Sequence, residues 1–135
     1  MLLDQIITSI IYLFSCFGIF VLGHFAFGFC RKDYNLQEEL IEKDNAALAL
    51  TMSGYYLGLI FCIGGVIYGV LSIILLNVSA FINDLFILSK FKIKKEILED
   101  QNCGTGVVEF AVFTASGLNI FGAVYGHGGS ILTAI

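Results

Sequence analysis

The sequence predicts an all-α integral membrane protein with four transmembrane helices, arranged as two parallel two-helix repeats. Three observations lead there. Hydrophobic residues make 58% of the chain, while Asp, Glu, Lys and Arg together make 13%. The uncharged runs are long enough to cross a bilayer. Every basic residue falls in one of two short polar stretches. A soluble domain carries about 25% charged residues. Half that fraction, with a mean hydropathy of +0.90, makes lipid the solvent. The 135 residues form a single transmembrane domain over 1–135, with repeat 1 at about 5–66 and repeat 2 at about 67–125.

Residues 6–30 hold no charge and suit a first span. They do not read as a signal peptide. Asp4 is the only charge before Arg31, so the basic leader is missing, and the apolar stretch is about twice the usual length. A polar stretch of mixed charge follows at 31–45. Residues 46–88 are then apolar apart from Asp84. One helix of that length would reach about 65 Å, roughly two bilayers, so it must fold back once. The reversal is expected at Gly64-Gly65 to Tyr68-Gly69, where backbone freedom is greatest. A lysine-bearing stretch fills 89–103, and a last span runs from 104 to about 125. The tail through His127 ends on apolar residues, as if the chain continued.

Charge placement fixes the topology. Arg31, Lys32 and Lys43 lie in the first loop, and Lys90, Lys92, Lys94 and Lys95 in the second. With four spans both loops share a side, which the positive-inside rule makes cytoplasmic, leaving the termini outside. Three spans would separate the loops, so the charge pattern supports the hidden turn.

An offset of 57 residues aligns Asn45 with Asn102, Glu42 with Glu99, and Ala49 with Gly106. In each case a charged loop leads through Asn to small residues and an apolar helix. At a helix start, Asn accepts from free backbone N–H groups, which are costly to leave unpaired near lipid. A direct part in binding an ion or substrate is the other reading.

Asp84 and Glu109 are the informative polar residues, each about 7–11 Å from the loop end of its helix. An intramembrane carboxylate costs roughly 2.5–3.5 kcal/mol on insertion scales, so both are expected to face inward. Either they join helices by hydrogen bonding, or they line a polar cavity with Asn83 and Asn119 and carry a cation or proton. Snorkelling to the interface is a third reading. Gly54 and Gly58 have the spacing that lets two helices approach closely. His24 reads as an interfacial hydrogen-bonding residue, and Cys16, Cys30, Cys62 and Cys103 show no metal-ligand spacing.

No catalytic constellation, phosphate loop or basic nucleic-acid surface is visible. The expectation is therefore no enzyme, no cofactor and no metal. A small membrane subunit or scaffold packing through small-residue faces is expected, in a homo-oligomer or with another membrane protein, and the lipid bilayer as surroundings. The alternative is an ion or proton pathway, or small transporter, using Asp84 and Glu109.

Glu42-Lys43-Asp44-Asn45-Ala46-Ala47 and Gly54-Tyr55-Tyr56-Leu57-Gly58 resemble the first half of a bacterial inner-membrane family, domain of unknown function 350, the YjfL-like proteins. Leu75-Leu76-Asn77-Val78-Ser79, Ile82-Asn83-Asp84, Asn102-Cys103-Gly104-Thr105-Gly106, Glu109, Ser116-Gly117-Leu118 and Gly128-Gly129 are similar to its second half. The resemblance implies a bacterial inner-membrane location and this topology, but no activity. Members usually carry a polar loop between helices 2 and 3, which is missing here, and longer members continue past Gly-Gly. The chain resembles the N-terminal half of such a member.

Overall fold

The computed structural model describes residues 2–32, 34–63, 66–86 and 92–125. Among them the regular structure is entirely helical: α1 (Leu2–Cys30), a π-helical turn (Glu38–Glu42), α2 (Ala46–Cys62), α3 (Val66–Phe86), α4 (Ile93–Leu98) and α5 (Cys103–Tyr125). Three helices are long and apolar enough to cross a membrane, over Leu3–Cys30, Gly69–Phe86 and Cys103–Val124. The fourth, α2, has 17 residues, or about 26 Å against a hydrocarbon core of about 30 Å. The α1 helix, with 29 residues, reaches about 43 Å.

Helices α2 and α5 run in the same direction and form the centre of the bundle. Their contact is a ladder of small residues. A methyl group added at Gly106 would strike the backbone of Ala47, and one at Gly54 the backbone of Phe110. At Gly58 it would strike Phe113, and at Gly117 it would strike Gly58. Ala47, Thr51, Gly54, Gly58 and Cys62 are all buried, and their spacings of three and four keep them on one face of α2. The lack of side chains brings the two backbones together, so dispersion contacts replace the hydrophobic drive that lipid removes.

Helix α1 packs on this centre through Ile19, Gly23 and Phe27, which recur every fourth residue and are buried. Residues 3–14 are exposed on every face. Phe27, Tyr55 and Phe113 are each 0% exposed and join α1, α2 and α5. Their ring centroids lie 5.0 Å (Phe27–Tyr55), 5.2 Å (Tyr55–Phe113) and 6.4 Å (Phe27–Phe113) apart, the usual range for aromatic pairs.

The reversal between α2 and α3 is tighter than the sequence suggests. Gly64 and Gly65 lie outside the described residues, but α3 begins at Val66, so Tyr68 and Gly69 are helical. Burial decides the correction: Gly69 sits against Ile19 of α1, a packing role that calls for a small residue and not a turn.

The polar loops are also more ordered than their composition implies. Each contains a helical turn ended by a non-glycine residue in the left-handed region, Asp44 (φ 48°) or Gln101 (φ 45°). The offset of 57 residues recurs in their hydrogen bonds. Lys43 N donates to Glu38 O at 3.1 Å, as Asp100 N does to Lys95 O at 3.1 Å. Asn45 N donates to Glu39 O at 3.1 Å, and Asn102 N to Glu96 O at 2.8 Å. The flanking helices differ in length, so this recurrence is a property of the turns.

Candidate functional site: a buried charge cluster

Both loops lie at one end of the bundle. Asn45 Nδ2 of the first donates to Ile97 O of the second at 2.8 Å, and Gln101 Nε2 of the second reaches Lys43 O at 3.4 Å. Just inside this end, three charged side chains from three elements meet. Arg31 follows α1, Asp84 is two residues from the end of α3, and Glu109 is in the second turn of α5.

Arg31 Nη2 lies 3.4 Å from Glu109 Oε2, with the two side chains 19% and 0% exposed. The guanidinium also sits over the ring of Phe27, 4.3 Å from its centroid, and 5.6 Å from that of Phe113. Those ring faces attract a cation and shield it from water. Asp84 faces the same carboxyl and the same guanidinium. Asp84 Oδ1 and Glu109 Oε1 are buried and have no hydrogen-bond partner among the described residues. A cavity of about 310 Å³ between the end of α1 and α3 reaches Asp84, lined by Cys30, Arg31, Asn77, Ala80 and Phe81. Asn77 Nδ2 donates to Tyr55 Oη at 3.1 Å and to Ile73 O at 2.8 Å.

The residues named from sequence separate here. Asp84 and Glu109 come together. Asn83 is buried, 6% exposed, with its Nδ2 unpaired among the described residues. Asn119 departs from the expected group: it is exposed and lines a shallow recess with Ser79, Ser116 and Ile120 on the other side of α3. Helical phase explains this, because Asn119 lies ten residues beyond Glu109, close to three turns less 80°, and so points elsewhere. Arg31 was absent from that group. Its only signal was position, one residue past an apolar helix, where a long side chain can fold back along the apolar surface.

Asn45 and Asn102 cap their helices. Asn45 Oδ1 accepts from Leu48 N at 3.0 Å, and Asn102 Oδ1 from Gly104 N at 2.9 Å. Each also donates to a carboxylate six residues earlier, Asn45 to Glu39 Oε2 at 3.2 Å and Asn102 to Glu96 Oε2 at 2.9 Å. Lys43 Nζ, 2.7 Å from Glu39 Oε1, holds that carboxyl below the usual range, against the opposing effect of burial. His24 Nδ1 pairs with Tyr56 Oη at 2.6 Å on the outer surface, away from the charge cluster.

The family model described as Domain of Unknown Function (DUF350) matches residues 1–124. No curated protein and no solved structure matches the chain.

Proposed function

The chain belongs to the DUF350 family, and on that premise we propose that it is a non-catalytic membrane subunit or scaffold. Its setting in this reading is the inner membrane of a bacterium, with loops 31–45 and 89–103 in the cytoplasm and the termini outside. The observation that carries the reading is a closed bundle axis. Above the charge cluster the space between α1, α2 and α5 is filled by Phe27, Tyr55 and Phe113, all 0% exposed. Beside and beyond them the α2–α5 backbones touch at Gly54, Gly58 and Gly117. Among the described residues, packing of this kind closes the space between α1, α2 and α5 with apolar side chains and backbone, whereas a route for ions needs polar or wet groups throughout.

Assembly is the second half of the proposal. Helix α1 presents Ile6, Ile10, Leu13, Phe14 and Phe17 outward, on a helix about 18 Å longer than α2. A second copy or another membrane protein packed on that face would match its excess length. The mass of the complex in mild detergent should exceed one chain plus micelle, and proteoliposomes should show no sodium or proton flux. A monomer, or a steady flux, would overturn the reading.

The ion or proton pathway keeps one specific support, the two unpartnered carboxylate oxygens beside a cavity. The flux measurement separates it from the subunit reading. Orientation is tested by cysteines placed at Gln37 and Glu99 in a cysteine-free background. Neither should react with an impermeant reagent applied outside the cell.

A further inference from the structure

Charge and hydrogen bonding at the cluster are both incomplete, and in the same sense. One guanidinium faces two carboxylates, which leaves a formal charge of −1 in a water-poor site. Glu109 is 0% exposed, yet only one of its oxygens has a partner, and Asp84 also carries a buried oxygen with none. Buried polar atoms are nearly always paired, and an orphan of this kind points to a bound ion or water. An uncompensated buried charge is strongly destabilising, so the negative excess also needs a counter-charge.

The surroundings say which. Among the described residues, the titratable or charged groups beside the pair are Arg31 and Cys30 from the end of α1, with Tyr55 of α2 one step further, behind Asn77. Among the described residues none of these supplies a second positive charge. Asn77 spends both amide hydrogens on Tyr55 and Ile73, which leaves its carbonyl oxygen as the group it can offer to the cavity. The donors are thus oxygens, which suit a hard cation. A divalent ion would reverse the imbalance to +1 beside Arg31, whereas one elementary charge cancels it.

We propose that Asp84 and Glu109 together hold one small monovalent cation, an alkali ion or a proton, reached through the cavity lined by Arg31 and Asn77. This is a binding site at the loop end, and it needs no path across the bundle. It therefore stands or falls apart from the subunit reading.

The test uses the full chain in lipid nanodiscs at constant ionic strength, with sodium or potassium chloride exchanged for choline chloride. For an alkali occupant, wild type should gain about 2 °C or more in unfolding midpoint, saturably. Asp84→Asn, whose cluster is already neutral, should be at least as stable in choline and show no gain. For a proton occupant the salts should be equivalent. Wild type should then show a protonated-carboxyl infrared band that disappears in both Asp84→Asn and Glu109→Gln. A wild type with neither response overturns the proposal. So does a salt response retained in Asp84→Asn, or an Asp84→Asn chain destabilised equally in every buffer, as a purely structural hydrogen bond would give. Size-exclusion profiles and circular dichroism keep misfolded variants out of the comparison.

Discussion

The turns at Asn45 and Asn102 are written in the same sequence logic but do different amounts of structural work. Both end a short helix with a left-handed residue, both cap the next helix, and both tie the Asn amide to a Glu six residues back. Asn45 is 1% exposed and also bonds Ile97 O across the molecule, while Asn102 is exposed and, among the described residues, bonds within its own turn. Glu39 is buried with Lys43 and Asn45 around it, whereas Glu96 is half-buried and held by Asn102. A shared local motif fixes the chain direction in each case. Tertiary surroundings then decide whether breaking it disturbs one helix end or two loops.

The largest effect should come from removing what holds the two turns in register. Gly58→Leu drives a side chain into the Phe113 backbone and Leu76 and should cost about 3 kcal/mol or more, or prevent folding. The same change at Gly122, which has nothing within 4 Å, should be near silent in thermal stability and yield. A tolerated Gly58→Leu would show that the α2–α5 seam is not what aligns the turns.

Next in size is the direct comparison. Asn45→Ala loses a cap and leaves Ile97 O and Glu39 short of a donor, so about 2–3 kcal/mol is expected. Asn102→Ala should cost about 1 kcal/mol, the ordinary loss of an exposed cap. Unfolding of both variants in one denaturant series checks the ordering, and equal losses would remove the distinction.

The smallest effect is a matter of pH. Because the folded Glu39 carboxyl lies below its ordinary value of 4.5, its contribution is complete above that value. It is lost as pH falls below 4.5 through the folded pKa. Glu39→Gln should flatten this acid limb, seen as a smaller drop in unfolding midpoint on acidification.

How far these features could be read from sequence follows their physical origin. The apolar runs, the basic loops and the two Asn residues are local patterns with one dominant cause each, and α2 and α5 begin directly after the two Asn residues. Gly54 and Gly58 were visible as a spacing, but their partners Phe110, Phe113 and Gly117 are set by how two helices lie together. Asp84 and Glu109 were readable because a charge in an apolar run is conspicuous. Arg31 stands in a polar stretch, where one more cation carries no signal, and its inward fold depends on Phe27 and Phe113 meeting it. The helical Tyr68 and Gly69 hid for the opposite reason: a glycine that serves packing looks like one that serves a turn.

The α2–α5 seam has a consequence for how the protein is made. The glycine face of α2 emerges from the ribosome well before its partner, since Gly54 meets Phe110, 56 residues later. At about 5–20 residues per second that interval is about 3–11 s. Throughout it α2, a short helix with Thr51 and two glycines on one side, must sit in the translocon or bilayer without the surface it was shaped for. Any factor that shelters young membrane helices would meet this face first, and α5 would complete the seam by displacing it.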